Sequence, residues 1–364
     1  MHGFATQTGL RSTLQIRNRV RMHTPGERLI DAEGNVRLGI FSEPITEVHY
    51  RDYALATPFG RPAGRWARHF GFNQFQFLGA LSEELVFGCA IADIKYVGTA
   101  FMYLYEPSTR RLVERSFQVP LGLGITFDQS PETGRATFRS RHAEISMTAG
   151  RSPCHRRLTV RVAGGASIEA YFDEETPRQQ AMRICTRAGA TGWVFARKTA
   201  GMPVSGTVSW NGRTFDLAAI GARGHCDWSA GYMRRETFWN WGCVAGATVD
   251  GRALGMNVAC GVNETSFTEN CFWVDGALHK IDTVVFEYDR NDLMRPWRLR
   301  SFDGRLQLDF EPQGSHAERI NAWIVASNFN QLLGRYHGRL VTAAGEEIRV
   351  AGMLGYAESH YAKW

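Results

Sequence analysis

Apolar and polar positions alternate with a period of two along much of the second half of the chain. Val204, Val208 and Trp210 alternate with small or polar neighbours before Asn211-Gly212, and Phe215, Leu217 and Ala219 do so after it. Trp297 and Leu299 precede Asp303-Gly304, and Leu306, Leu308 and Phe310 follow it. A period of two puts successive side chains on opposite faces of a strand. Asp250-Gly251 and Asp275-Gly276 punctuate the same region. Asn-Gly and Asp-Gly suit type I′ turns, whose two central residues need positive φ, so all four dipeptides predict tight hairpins. The pattern predicts an antiparallel meander.

The first half is less regular but points the same way. Residues 70–78 hold four phenylalanines, and residues 85–93 and 96–105 are apolar, aromatic runs of strand length. Helix signals are few. Thr176-Pro177, with Gln179 in the capping-box position, marks the start of one short helix. Residues 316–333 have some helical character, which Asn328, Asn330 and Gly334 weaken. The predicted class is all-β with few short helices. A sheet of many strands must close or stack to hide its edges, which favours barrels or sandwiches. The length suits two such units, and a composition shift between residues 176 and 192 places their boundary at 188/189, giving units 1–188 and 189–364.

Composition narrows the function classes. Apolar residues make up 44% of the chain and charged residues 21%, enough apolar surface to offset the entropy of ordering, so disorder is excluded. The formal charge of +6 comes largely from arginine, in pairs such as Arg110-Arg111, Arg156-Arg157 and Arg234-Arg235. No block of like charge marks a nucleic-acid tail, and a diffuse basic surface is the main reading. Seven cysteines with no Cys-x-x-Cys predict buried free thiols in a reducing compartment rather than a disulfide framework. The N-terminal segment lacks the apolar core of a secretory signal, so a cytoplasmic location is expected. Phosphate-loop, zinc-protease and nucleophile-elbow motifs are missing. Gly122-Leu123-Gly124 is a lone glycine pair, and the histidines are scattered. No metal and no cofactor are expected.

The densest chemistry lies between His225 and Trp273, where His225, Asp227, Arg234, Glu264 and Glu269 are interleaved with Trp228, Tyr232, Trp239, Trp241 and Trp273. Polar groups among large aromatics are the usual lining of a small-molecule pocket. His225 and Asp227 are two apart and share a face of an extended strand. They read either as a catalytic couple, with the carboxyl kept protonated in an apolar cage, or as a satisfied polar pair at a strand end. Trp239 and Trp241 also share a face, as core packing or as cavity wall. Asn257, Asn263, Glu264 and Asn270 fall on neighbouring runs and could converge on the same mouth. Arg234 is a surface charge or an anion clamp.

The stretch His225-Cys226-Asp227-Trp228, Trp239-Asn240-Trp241 and Asp250-Gly251 resembles the signature of the lipocalin-like hydratase and cyclase superfamily, which includes carotenoid 1,2-hydratases (hydroxyneurosporene synthases) and is related to tocopherol cyclases. Over most of its length the chain is similar to a bacterial domain-of-unknown-function family of that kind, on the stretches 269–276, 329–338 and Gly355-Tyr356-Ala357-Glu358-Ser359-His360. The resemblance implies two tandem lipocalin-like barrels or sandwiches holding an apolar ligand. Where the hydratases carry Asp-His, this chain has His225-Cys226, and the carboxylate moves to Asp227.

Two functions follow as expectations. One is a cofactor-free lyase or isomerase acting on an isoprenoid or lipid-like substrate, with Asp227 as general acid tuned by His225, and Trp228, Trp239 and Trp241 sheltering a cation. The other is a non-catalytic carrier of a hydrophobic ligand on the same scaffold. Peripheral contact with anionic membranes through the arginine pairs is a third, lesser reading.

Overall fold

A computed structural model of the protein describes residues 28–151, 154–175, 178–262, 267–322 and 325–364. Among them, the chain is almost entirely antiparallel β, with one short α-helix, Arg65–Phe70, and one 3-10 turn, Tyr50–Asp52. The helix start expected at Thr176-Pro177 lies outside the described residues. The stretch 316–333 forms parts of two long strands, Leu306–Ala322 and Val325–Val341, which pair with each other. No described helix is long and apolar enough to cross a membrane.

The strands form two curled half-barrel sheets. The first, 14-stranded among the described residues, carries at its centre Val97–Glu106, Val86–Asp93, Asn73–Leu81, Arg223–Tyr232 and Gly192–Trp210, in that order. The second, 9-stranded among the described residues, centres on Ala253–Cys260, Glu236–Ala247, Glu347–Lys363, Val325–Val341 and Leu306–Ala322. The chain changes sheet at residues 233–235, C-terminal to the composition shift, and both Gly192–Trp210 and Arg223–Tyr232 pair within the first sheet.

Turn chemistry divides the four glycine dipeptides. Asn211-Gly212 and Asp275-Gly276 have positive φ at both residues, as type I′ requires. At Asp250-Gly251 and Asp303-Gly304 only the glycine does, and longer loops close through Thr248–Arg252 and Ser301–Leu306 hydrogen bonds. Of the strand positions read from the period of two, Val204, Val208, Trp210, Phe215, Leu217, Trp297, Leu299, Leu306, Leu308 and Phe310 are buried, whereas Ala219 is exposed.

Each half-barrel has its own core. Leu78, Phe87, Phe138 and Val208 belong to the first, and Phe272, Trp297, Leu308 and Tyr336 to the second. A third cluster joins the two, with Phe77, Tyr103 and Ala196 from the first sheet against Trp241, Leu333 and Tyr356 from the second. A fourth lies where the N-terminal segment, through Leu29, Phe41 and Leu55, covers Trp193, Trp228 and Tyr232.

Arginine pairs do not all face water. Strand alternation turns Arg157 outward and Arg156 inward, where Glu174 joins it to Arg197 at 3.0 and 2.9 Å. Burial alone would raise the Glu174 carboxyl, but the two guanidinium groups hold it well below the usual range. The diffuse basic surface expected from composition is thus partly an internal ion network. Cys89, Cys185, Cys226, Cys243 and Cys271 are buried free thiols, as expected.

Candidate active site

Between the two sheets lies a cavity of about 270 Å³. Its walls are mostly apolar, with Phe77, Phe101 and Ala196 from the first sheet and Trp239, Trp241 and Phe329 from the second. Among the polar groups that line it are Lys198, Asp227, Ser229, Glu269, Gln331, Glu358 and His360.

These groups are cross-strand neighbours. Lys198 stands directly opposite Asp227 in the ladder between Gly192–Trp210 and Arg223–Tyr232, and Phe77 stands opposite Asp227 on its other side. In the facing sheet, Glu358 is paired with Trp241 on one flank and Gln331 on the other. Directly opposed residues on one face of a sheet are in contact range, so register brings together Lys198 with Asp227 and Glu358 with Gln331, while Glu269 enters from the loop before the strand Cys271–Val274.

In the first cluster, Lys198 Nζ donates to Asp227 Oδ2 at 2.5 Å and lies 3.3 Å from Glu269 Oε1. Ser229 Oγ donates to Asp227 Oδ1 at 3.1 Å. Asn257 Nδ2 donates to Glu269 Oε1 at 3.1 Å, and its own Oδ1 accepts the Trp241 indole N–H at 2.8 Å. Burial alone would lower the Lys198 ammonium, but the charges of Asp227 and Glu269 raise it. Burial raises the Glu269 carboxyl, Lys198 opposes that, and Asp227 adds to it.

The second cluster is a carboxyl with no bonded cation among the described residues. Gln331 Nε2 donates to Glu358 Oε1 at 2.6 Å, and Trp239 is a further hydrogen-bond partner. Burial pushes the Glu358 carboxyl up to about 7, Gln331 pulls against this, and the Asp227 charge adds to the rise. Trp239 packs on His360, with ring centroids 4.1 Å apart, and His360 Nε2 pairs with Ser327 Oγ at 3.0 Å.

The expected site residues are dispersed. Asp227, Trp239, Trp241 and Glu269 border the cavity, and Asn257 stands behind it. His225 shares the Asp227 face, as the spacing indicated, but lies deeper. It is 1% exposed and ringed by Phe77, Trp241 and Tyr356, and neither ring nitrogen has a hydrogen-bond partner among the described residues. Burial pushes His225 down to about 3, and the Lys198 charge adds to this, so the imidazole is neutral. Asp227 is bonded to Lys198, not to His225. Trp228 and Tyr232 point to the opposite face of their strand, into the cluster under the N-terminal segment. Arg234 is half-exposed beside Gly189 and does not line the cavity. Asn270 is structural: its side chain accepts from the Ala259 amide at 2.7 Å and donates to the Asp282 carbonyl. Trp273 is also structural, its indole donating to the Gln180 carbonyl at 2.6 Å. Asn263 and Glu264 lie outside the described residues. Among the described residues, no group of three or more His, Cys, Asp or Glu side chains could hold a metal ion.

Sequence reading missed Lys198, Ser229, Gln331 and Glu358. Lys198 carried a usable signal, a charge inside the apolar strand Gly192–Trp210. Glu358 sits in the C-terminal stretch singled out for family resemblance, with no chemistry assigned to it.

Known structures share this fold. A candidate AttH from Nitrosomonas europaea superposes with a TM-score of 0.53 at 13% identity, covering 79% of this chain and 92% of its own. CghA superposes with a TM-score of 0.51 at 11% identity, covering 93% and 97%. The kievitone hydratase of Nectria haematococca gives 0.43 at 7% identity, covering 80% and 88%. The likeness in fold rests on the first two. Among curated proteins, none matches the sequence significantly. The family model described as Domain of unknown function (DUF2804) matches residues 19–364, and the chain belongs to that family.

Proposed function

We propose that the protein is a hydratase- or cyclase-like lyase or isomerase that protonates a hydrophobic, unsaturated substrate in this cavity, with Glu358 as the acid. One observation carries the reading: Glu358 borders an aromatic cavity as a buried carboxyl without a bonded cation, whereas Asp227 is bonded to Lys198. A carboxyl in apolar surroundings keeps its proton at neutral pH and can donate it. Asp227, bonded to Lys198, serves instead as the partner of that ammonium.

In the proposed step the Glu358 O–H bond breaks and a C–H bond forms at one alkene carbon. This leaves a carboxylate and a carbocation flanked by the rings of Trp239, Trp241 and Phe77. Water adds, or a second double bond closes a ring, and Glu358 recovers a proton from the product-forming centre. Lys198 has three N–H donors, two of them turned to Asp227 and Glu269, which leaves one for a substrate oxygen. The apolar walls support an isoprenoid or lipid-like substrate with one polar end.

Glu358→Gln keeps shape and removes the transferable proton. Turnover on a panel of terpenoid and unsaturated lipid substrates is expected to fall by about 10²–10⁴-fold. Wild-type activity is expected to decline above about pH 7 as Glu358 loses its proton. Full turnover by folded Glu358→Gln, together with its loss in Asp227→Asn, would return the acid role to Asp227. Native mass spectrometry showing a co-purified lipid that leaves unchanged would favour the carrier.

A further inference from the structure

The mouth of the cavity adjoins an exposed apolar surface that neither half-barrel core uses. Ile94 and Val97, at the two ends of a hairpin turn, line the cavity, and Tyr96 in the same turn faces outward. Tyr96 stacks on Phe70 at 4.5 Å, and Phe70 stacks on Trp66 at 6.0 Å. On the other side, the Tyr96 carbonyl accepts the Leu121 amide at 3.0 Å. Trp66, Leu121 and Leu123 are 64%, 66% and 64% exposed. Such a run of large side chains in water, joined to the rim of an apolar cavity, marks a binding surface.

Charge selects the partner. Residues 53–72 contain three arginines and no acid. Arg61 and Arg65 are exposed, neither has a carboxylate partner among the described residues, and the Arg65 guanidinium lies over the Trp66 ring at 5.0 Å. Arg68 is tied to the Tyr53 and Ala63 carbonyls. The nearest acid of the turn, Asp93, is neutralised by Lys95 at 2.5 Å. Aromatic and leucine side chains between unpaired arginines fit the headgroup layer of an anionic bilayer, where the rings enter the interface and the guanidinium groups meet lipid phosphates.

We infer that the Trp66–Phe70–Tyr96–Leu121 surface, with Arg61 and Arg65, docks the protein on an anionic membrane with the cavity mouth beside the lipid. A substrate of low water solubility then passes between bilayer and cavity along an apolar path. Docking does not depend on the chemistry assigned to Glu358, so the two readings fail separately.

Co-sedimentation of the full chain tests this with phosphatidylcholine vesicles and with mixed phosphatidylcholine and phosphatidylglycerol vesicles. Wild type is expected to bind the mixed vesicles at least about tenfold more tightly than phosphatidylcholine alone, with the difference shrinking as salt rises. Trp66→Ser combined with Leu123→Ser, and Arg61→Glu combined with Arg65→Glu, are each expected to weaken binding by about tenfold or more. All four side chains are exposed, so thermal midpoints should stay near wild type. Glu358→Gln should bind vesicles as wild type does. The inference fails if wild type ignores the mixed vesicles or if both folded double variants bind them normally. It fails equally if wild type is a dimer that the variants dissociate without any vesicle binding, since the surface would then join two copies of the chain.

Discussion

Lys198 supplies the only bonded cation, among the described residues, to two carboxylates of one apolar cavity, Asp227 from the neighbouring strand and Glu269 from the loop before Cys271–Val274. Removing it leaves Asp227 and Glu269 facing each other without compensation. Lys198→Met is expected to destabilise the fold by about 3–5 kcal/mol, the cost of stranding buried charge. Adding Asp227→Asn should restore part of that loss in urea unfolding, and a strictly additive double variant would mean that the pair is not coupled. His225 shows the opposite situation, a titratable ring packed as an apolar one. A Cβ at Gly79 would stand 2.5 Å from its Nε2, with the Phe87 carbonyl at 2.9 Å. The glycine is what leaves room for the imidazole beside it.

At the scale of elements, two strands carry the site because they change their surroundings along their length. Gly192–Trp210 presents Ala196, Lys198 and Ala200 to the facing sheet, then bulges between Ala200 and Met202 and sends Met202, Val204 and Val208 into the first core. Gly201, at the bulge, has φ +93°, and it meets the strand Ala253–Cys260 backbone to backbone. A Cβ on Gly255 would lie 2.1 Å from the Ala200 carbonyl oxygen. Gly255→Ala must therefore push the two strands apart, and a loss of about 3 kcal/mol in chemical denaturation is expected. Unchanged stability would mean that the two sheets are not in contact there. Arg223–Tyr232 alternates more simply, with His225, Asp227 and Ser229 toward the facing sheet and the cavity and its even positions toward the first core or the N-terminal segment. That alternation separates Asp227 from Trp228, residues that the sequence had grouped.

At the scale of the molecule, the shared cluster between the sheets should make both half-barrels unfold together. Thermal transitions followed by tryptophan fluorescence and by far-ultraviolet circular dichroism are expected to coincide. Stability should also have a pH optimum set from both sides. Glu358 has its folded value raised from 4.5 to about 7, so its contribution is full below 4.5 and is lost as pH rises through about 7. His225 has its value depressed from 6.5 to about 3, so its contribution is present above 6.5 and is lost as pH falls toward 3. Glu358→Gln should flatten the alkaline slope, by on the order of 3 kcal/mol between pH 4 and pH 8, and leave the acidic slope in place. An unaltered alkaline slope would show that Glu358 titrates normally.

The chain by itself determined the class of the fold, because a period of two and glycine turns act over a few neighbouring residues. Alternation also put His225 and Asp227 on one face, and the apolar runs marked the strands that became the walls. Partnership was decided only by the tertiary structure. Whether Asp227 meets His225 or Lys198 depends on the register between strands far apart in sequence, and a one-residue slip would reverse every face. Glu358 and Gln331 carried no local signal, since an isolated acid or amide in a strand reads as a solvent-facing position. Folding the second sheet over the first is what removes them from water, and with it changes the chemistry that Glu358 can perform.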